Sequence, residues 1–376
     1  LNKHVKFFKA AFIKQHCYRD FFSFIKENFF TFLLEELIFL LILLTWSLVR
    51  GFAPDIEGLE KYMDWGFVNT ALRSQFWPPV DMWFSGEVIN YYYFGHLIFA
   101  LITKISGVIS SVGYNLSIAT VCSLTFTSTF SLVSNVTYLS FNKKSKQVPC
   151  PACPPKLRSC ERVKKAITAG LISALLLTFG GNLHSVFKIA KLNYTQNNSH
   201  FVFTQSAWTK AFSSYWYPDA TRFIGHDPDT NDKTIHEFPI YSFVVSDLHG
   251  HMNDIFIVLF FLAFLFASYQ TKNISRNLVA AISGLILSVC YMTNAWDFAV
   301  YGLVLAIFTF LINFQEDGPK SLLKTILNGL LIIVFWYIFS YPFSLNFTPM
   351  MEGIKISDGH SPFYQLFVLY GGFWLI

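Results

Sequence analysis

The residues best suited to chemistry lie in one acid-rich stretch of the sequence, residues 50–96. Six of the chain's 23 acidic residues fall within it, although only 14% of all residues are charged. Glu60 and Asp64 are four positions apart, so on a helix they share one face with about 5–6 Å between their Cβ atoms. One carboxylate could then accept a proton from a substrate hydroxyl while the other orients it or holds a metal. The alternative is that these acids pair with Lys61 or Arg73 and brace the loop.

Asp55 is a further candidate for the base, because it lies in the same acid-dense stretch. A second constellation, Asp247, His249 and His251, has the spacing D-x-H-x-H. On an extended segment, alternation places all three side chains on one side. Carboxylate and imidazole groups bind divalent metals such as zinc, iron or manganese, but they could equally hold a phosphate. A third interpretation is that Asp247 caps a helix. Glu237 is expected to join the same site.

Six other residues are candidates for binding a substrate or its phosphate. The arginines could grip a phosphate with both arms of the guanidinium group, or they could form salt bridges with the loop acids. The aromatic residues and the histidine could line the path of a lipid or stack on a sugar, but aromatic residues also form belts at membrane interfaces. The aspartate is also expected to cap the helix that follows it. These candidates are Arg73, His96, Arg222, Tyr92, Trp296 and Asp297.

The composition indicates an integral membrane protein. The chain is 53% hydrophobic with a mean hydropathy of +0.43, and its charged fraction of 14% is well below the roughly 25% of soluble domains. The net charge is +5, and the basic residues cluster in a few loops. That clustering is typical of topology control rather than of nucleic-acid binding. The lipid bilayer is therefore the expected partner, and no nucleic acid is expected.

The apolar stretches predict an all-α polytopic bundle with about seven or eight spans. The Lys-rich and Phe-rich residues 1–32 are expected on the cytoplasmic side, either as a helix on the membrane surface or as a solvated arm. Residues 33–376 form one predicted transmembrane domain, and both natural ends of the protein are expected to lie beyond this sequence. The predicted spans are 33–49, 116–141, 166–189, 255–269, 278–292, 298–314, 322–340 and a last one from residue 362.

The basic residues determine the predicted orientation. If residues 97–110 crossed the membrane, the basic loop 142–165 would lie outside, against the positive-inside rule. We therefore predict that residues 97–110 form an interfacial or re-entrant helix and that the loop is cytoplasmic. Residues 50–115 and 190–254 then lie outside, as does the NAWDF segment between the spans 278–292 and 298–314, so the candidate site residues all fall on the outer face.

The basic loop also carries Cys150, Cys153 and Cys160. A CxxC pair can supply half of a zinc site, but a structural zinc site needs four ligands. The loop contains no fourth cysteine or histidine. These cysteines are therefore predicted to be reduced and unligated.

An ordered set of motifs carries a resemblance to a known family. The motifs are EKYMD at residue 60, RS at 73, PPVDMW at 78, YYYFGH at 91, EFPIYSFVVSDLHGH at 237 and TNAWDF at 293. Together they resemble DUF2298, or Chlor_Arch_YYY, a family of prokaryotic polytopic membrane proteins named for its YYY motif. The layout of this family is similar to that of GT-C membrane glycosyltransferases, which use polyprenyl-phosphate sugars and place their base in the loop after the first span.

The resemblance and the outer-face acids together predict a membrane glycosyltransferase in the cytoplasmic membrane of a prokaryote. It would take a sugar from a polyprenyl-phosphate carrier on the outer face. A loop acid would act as base, and arginine and histidine would hold the leaving phosphate. The alternatives are a transporter or flippase for a lipid-linked or anionic substrate, and a non-catalytic protein of cell-envelope assembly. A transporter should show acids or broken helices at mid-membrane.

Overall fold

The computed structural model describes residues 17–147, 155–271, 274–349 and 359–374. The regular structure of these residues is helical, apart from two isolated β-bridges. Short 3-10 turns lie at Tyr217–Thr221 and Gly318–Lys320. Helices α1 to α14 are, in order, Cys17–Glu27, Phe29–Gly51, Lys61–Arg73, Phe94–Ser106, Ser110–Gln147, Pro155–Phe179, His184–Gln196, Gln205–Ser213, Pro239–Val245, Gly250–Gln270, Arg276–Thr293, Ala295–Asp317, Ser321–Ser344 and Phe363–Trp374.

Five stretches of the described chain are long and apolar enough to cross a membrane. The last of them has 50 residues and would measure about 75 Å as one helix, more than twice the ~30 Å hydrocarbon core of a bilayer. It is divided at Gly318–Lys320 into α12 and α13, which pack against each other as a hairpin. The predicted all-α polytopic fold is confirmed. The five stretches are Phe29–Gly51, Ser110–Phe141, Gly250–Gln270, Arg276–Thr293 and Ala295–Ser344.

The exposed surface of these helices is apolar. In α2, Leu41, Leu44 and Leu48 are each at least 60% exposed. Leaving such side chains in water costs roughly 25 cal/mol per Å² of apolar surface, whereas lipid removes that cost. The outward side of α2 is therefore suited to contact with the bilayer.

The third predicted span, residues 166–189, is interrupted. Helix α6 ends at Phe179 and α7 begins at His184, with Gly180 and Gly181 between them. Each glycine in a helix costs about 1 kcal/mol relative to alanine, so two in succession favour a break. Counted as one broken span, this pair raises the number of candidate stretches to six.

The segment predicted to lie at the interface is a short helix. Helix α4 has 13 residues and is therefore about 20 Å long, less than the ~30 Å needed for a perpendicular crossing. It ends at Gly107, whose φ of 71° lies in the left-handed region that glycine adopts without strain. That this helix does not cross the membrane stays a prediction.

The cytoplasmic loop predicted at residues 142–165 is largely helical. The end of α5 and the start of α6 occupy most of it. Lysine and arginine favour helices. Cys150 and Cys153 lie outside the described residues, and Cys160 lies in α6.

Two other predicted boundaries are shifted, and one predicted loop contains helices. Of the N-terminal segment, the structure describes α1, and α2 follows it from Phe29 rather than from residue 33. The predicted outer loop 190–254 contains α8, a 3-10 turn and α9. Helix α10 begins at Gly250, so the end of that loop belongs to a span.

The described chain divides into two compact units. The first is formed by the residues up to Thr178 and by Ser246–Pro349. Its main core lies between α10, α11, α12 and α13, around Phe261, Cys290 and Leu305. The second unit comprises Phe179–Val245 and the described residues after Met350. Its core is formed by Phe223, Ile224, Val368 and Leu369.

A second apolar cluster of the first unit positions the site. Phe67 of α3, Tyr93 before α4, Met292 of α11 and Phe343 of α13 pack together and are nearly fully buried. Burying such side chains contributes about 1.5–3 kcal/mol each. The cluster therefore anchors the short helices α3 and α4 to the long helices of the bundle.

The charge asymmetry makes the orientation testable. We expect a tag inserted after Lys146 to be cytoplasmic and a tag after Gly58 to be external, because basic segments stay inside. Labelling of intact cells with a membrane-impermeant reagent checks both positions. A result with both tags on the same side would contradict this orientation.

Candidate functional site

The acidic pair is built on the start of α3. Glu60 is the residue before the helix and Asp64 lies in its first turn, with the Asp64 N–H bonded to the Glu60 carbonyl at 3.1 Å. The two side chains share one face, as their spacing predicts, but their exposure differs. The Glu60 side chain is 58% exposed and that of Asp64 is 0% exposed. Of the two acids, only Glu60 can therefore be reached from outside.

Asp64 is paired with His96, in the first turn of α4. The distance from His96 Nε2 to Asp64 Oδ1 is 2.9 Å, and the His96 side chain is 1% exposed. Burial and the nearby charge of His249 lower the pKa of His96 to about 3. The ring is thus neutral, and its Nε2–H donates to the Asp64 carboxylate. A buried neutral histidine does not serve as the phosphate contact predicted for His96.

The DLHGH segment enters the site through a strained turn. Ser246, directly before Asp247, has a φ of +63°, which is unusual for a residue with a side chain. Tyr114 of α5 fixes the turn: its hydroxyl donates to the Ser246 carbonyl at 3.0 Å and accepts from Leu248 N–H at 3.3 Å. Such strain costs about 1–3 kcal/mol and is found mainly at functional sites. The turn holds Asp247 and His249 against α3.

The predicted alternation of Asp247, His249 and His251 on an extended strand is wrong. Helix α10 begins at Gly250, so His251 lies in its first turn, while His249 is the N-cap residue. The N-cap position of α10 is thus held by His249, whose side chain makes no capping hydrogen bond, rather than by Asp247. The rings of His249 and His251 lie 5.2 Å apart, centroid to centroid.

His249 joins the two segments. Its Nδ1 is 2.9 Å from Glu60 Oε2 and 3.8 Å from Asp64 Oδ1, and its Nε2 is 2.6 Å from the Tyr91 hydroxyl. Burial lowers the pKa of His249, but the hydrogen bond to Glu60 and the charges of Asp64, Glu60 and Asp247 outweigh it and raise the pKa to about 9. His249 is therefore a cation at neutral pH, held among carboxylates.

Asp64 behaves differently from an ordinary surface acid. Burial raises the pKa of Asp64 to about 6, although a hydrogen bond with Asp247 and the charge of His249 act in the opposite direction. Its carboxylate is thus ionised at neutral pH and contacts both histidines. We refer to Glu60, Asp64, His96, Asp247 and His249 as the Glu60–His249 cluster.

The donor set for a metal is only partly formed. Glu60, Asp247 and His249 offer ligand atoms within 4.8 Å of one another. Both ring nitrogens of His249 already contact protein groups. In this conformation the cluster suits a charge relay better than a metal.

The predicted phosphate and sugar contacts are more scattered. Arg73 is exposed at the end of α3, nine residues after Asp64, or about 13 Å along the helix. Asp64 contacts His96, and both Glu60 and Asp64 lie near His249. Arg222 donates to Thr221 Oγ1 at 3.1 Å. Arg222 and Glu237 both lie in the second unit.

The remaining candidates lie in the first unit. Tyr92 packs against Tyr91, with ring centroids 4.0 Å apart. Trp296 is 64% exposed at the start of α12, as expected of an interface residue. Asp297 is not the cap of α12: Asn294 precedes the helix and donates its amide to Asp297 Oδ2 at 2.9 Å. Asp55 is exposed.

Several residues of the site were not identified from the sequence. Tyr114 and Ser246 form the turn, and Asn253 donates to the Leu248 carbonyl at 2.8 Å. Lys61 lies close enough to these groups for its pKa to be affected by them. Burial and the charge of Arg50 lower the pKa of Lys61, whereas the charges of Asp247 and Asp55 raise it. The YYY motif gave a signal for Tyr91, but no sequence signal marks Tyr114, which lies in an apolar helix.

Close packing at Gly250 is a test of this geometry. A Cβ at Gly250 would lie 2.5 Å from the Tyr92 ring and 2.6 Å from the Thr293 carbonyl oxygen. We expect Gly250→Ala to destabilise the protein by about 1–3 kcal/mol, as overpacking does, and thermal unfolding measures this. Gly302→Ala is the matched control, because a Cβ there meets nothing within 4 Å. An equal loss in both variants would contradict the close packing.

The long apolar helices and the polar cluster at their ends define a polytopic α-helical membrane protein. Residues 7–376 match the family model described as "Uncharacterized membrane protein (DUF2298)". The chain belongs to this family, so the resemblance inferred from the motifs is confirmed. No curated protein and no solved structure matches the chain.

Proposed function

We propose that the protein is a membrane glycosyltransferase that takes a sugar from a polyprenyl-phosphate carrier on the outer face of the membrane. An acceptor hydroxyl oxygen attacks the anomeric carbon. The bond from that carbon to the phosphate oxygen breaks, and its electron pair leaves with the phosphate. The proton of the attacking hydroxyl passes to a carboxylate. The cytoplasmic membrane of a prokaryote is the corresponding proposed location.

One observation carries the proposal. Glu60 is an exposed carboxylate held at 2.9 Å by His249, which also lies 3.8 Å from the buried Asp64. In many catalytic acid–base systems a second group orients the base, and a third group orients the second. Glu60 would accept the proton, and Asp64 would act through His249 as a positioning residue.

The leaving phosphate needs a cation other than His249. Glu60 and His249 touch, so no sugar carbon fits between a base at Glu60 and a phosphate at the His249 ring. Lys61 follows Glu60 in the sequence and is only half-buried. The charge of Asp247 acts on the Lys61 ammonium group. A lysine ammonium group binds phosphate as a point charge. We therefore assign the phosphate contact to Lys61 in this proposal.

The test is transfer of a radiolabelled sugar from polyprenyl phosphate by the purified full-length protein. Label that moves from the lipid to a product supports the proposal. A donor that binds without transfer across a series of sugars and acceptors would contradict it. Chelation and metal analysis distinguish a metal-dependent enzyme from the charge relay, because a bound metal would have to displace Glu60 from His249.

Transport is the second candidate, because two features expected of a transporter are present. Helices α6 and α7 form an interrupted apolar pair, and Asp254 is buried within the span α10. Broken helices and intramembrane acids are typical of transporters. Uptake of a labelled lipid-linked substrate by proteoliposomes, without any change in its chemistry, would favour this function over transfer.

A further inference from the structure

An arginine is buried at the end of the first long helix. Arg50 is the second-last residue of α2 and is only 5% exposed. Trp46 and Arg50 are the buried residues of α2, so Arg50 lies on the side of this helix that packs against α5. Arginine keeps its charge in proteins, and a buried charge is costly unless it is paired. The burial of this guanidinium group therefore calls for a partner.

The partner that the protein supplies is a neutral amide. The Nε and Nη2 atoms of Arg50 donate to Asn115 Oδ1 of α5 at 3.0 and 2.6 Å. The amide nitrogen of Asn115 donates in turn to the carbonyls of Pro54 and Ser111, at 2.9 and 3.0 Å, which directs the amide oxygen toward Arg50. Asn115 thus holds the guanidinium group in place but carries no charge that balances it.

No carboxylate pairs with Arg50 among the residues that the structure describes. The hydrogen bonds of its guanidinium group there both go to Asn115, and the exposed Asp55, the nearest acid along the chain, forms no ion pair with it. Within the same residues Nη1 donates to no group, and it is not enclosed by protein atoms. The dipole at the C-terminal end of α2 favours a cation but amounts to only about half a charge. The guanidinium group therefore has a free, positively charged edge.

The depth of Arg50 matches that of lipid phosphate groups. Helix α2 has 23 residues and is about 35 Å long, slightly more than the ~30 Å hydrocarbon core of a bilayer. Its last turn therefore reaches the headgroup level, on the side that is predicted to be external. Guanidinium groups bind phosphate with two parallel hydrogen bonds. We propose that Arg50 binds the phosphate group of an outer-leaflet lipid and that Asn115 positions Arg50 for this contact.

The proposed lipid contact adjoins the Glu60–His249 cluster through α5. Asn115 follows Tyr114, whose hydroxyl group fixes the Ser246 turn. Burial and the charge of Arg50 lower the pKa of Lys61, and a bound phosphate would offset the repulsion between these two cations. The lipid headgroup would then lie beside the cluster, whether the lipid is the sugar carrier of the proposed function or a phospholipid.

Equilibrium binding of tritiated lipids to the purified full-length protein in neutral detergent tests the proposal. Polyprenyl phosphate is compared with polyprenol, and phosphatidic acid with diacylglycerol, because each pair differs only in the phosphate. We expect the phosphate-bearing lipid of at least one pair to bind at least about tenfold more tightly. A preference confined to polyprenyl phosphate identifies the sugar carrier as the ligand, whereas a preference in both pairs identifies a general phospholipid site. Equal affinity within both pairs would overturn the proposal.

Variants assign the contact to Arg50. We expect Arg50→Gln to weaken binding of the phosphate-bearing lipid at least about tenfold and to leave binding of polyprenol unchanged, because it removes charge-assisted hydrogen bonds. Arg73→Gln is the matched control, since Arg73 is an exposed arginine at the end of α3, and its affinity should stay within about twofold of that of the wild type. Wild-type affinity of Arg50→Gln would overturn the proposal.

A second variant decides if Arg50→Gln does not fold. Asn115→Asp places a carboxylate against the guanidinium group and neutralises it, so we expect the same loss of binding. Unchanged affinity of Asn115→Asp would then overturn the proposal. Because binding is measured without an acceptor, the result does not depend on whether the protein transfers a sugar.

Discussion

A Glu60→Gln variant is expected to lose roughly 10²–10⁴-fold in the rate of sugar transfer, the usual effect of removing a general base. Glutamine keeps the shape of the side chain but cannot accept the proton. Donor binding should persist, because the phosphate contact is assigned to Lys61. Single-turnover transfer and equilibrium binding of the labelled donor separate the two effects.

Glu87→Gln is the matched control for this change. Glu87 lies in the same acid-rich stretch and is exposed, but it is not part of the Glu60–His249 cluster. Its substitution should leave the transfer rate within about twofold of that of the wild type. Equal losses in the two variants would show that the overall charge of the stretch matters rather than Glu60. Full activity of the Glu60→Gln variant would contradict the assignment of Glu60 as the base.

Asp64→Asn is expected to move the alkaline limit of activity to lower pH by at least one unit. The charge of Asp64 helps to raise the pKa of His249 to about 9, and the proposed relay needs the His249 cation to hold Glu60. Activity is thus present below this pKa and is lost as pH rises through it. Without Asp64 the cation is lost earlier. A pH–rate profile of wild type and variant measures the shift.

The same variant should remain stable at alkaline pH. The folded-state pKa of Asp64, about 6, lies above the ordinary value of 3.8. Its contribution to stability is therefore present below about pH 3.8 and is lost as pH rises through about 6. Asparagine avoids burying a charge and can still accept from His96, so the melting temperature at about pH 8 should be unchanged or higher. A large drop in the melting temperature of Asp64→Asn at about pH 8, together with an unshifted pH–rate profile, would indicate that Asp64 only braces the fold.

The fold was predictable where a single property dominates. Apolar stretches long enough to cross a bilayer define the spans, and their hydrophobicity does not depend on distant contacts. The boundaries were less predictable: helix α10 starts at Gly250 rather than at residue 255, where Asn253 donates its amide to the Leu248 carbonyl and packs closely against Gly95 of α4. Such contacts between distant segments leave no periodic signal in the sequence.

The candidate site was predictable in its acids and in DLHGH, but not in the roles of the individual residues. The spacing of Glu60 and Asp64 gives a shared face, yet only packing makes one acid buried and the other exposed. His96 carries no mark in the sequence that distinguishes a buried neutral ring from a phosphate contact.

Helix α5, which carries Tyr114 at the strained Ser246 turn, is longer than a bilayer is thick. The helix has 38 residues, so it is about 57 Å long, more than the ~40–45 Å of a bilayer with its headgroups. Tyr114, which fixes the Ser246 turn, lies near one end, and the Lys-rich residues 143–146 lie near the other. A tilt of ~5° about that basic end would move Tyr114 by about 4 Å, more than its hydrogen bond can stretch. The residue that fixes the turn before Asp247 and His249 therefore belongs to a helix whose other end is long enough to reach the opposite side of a bilayer.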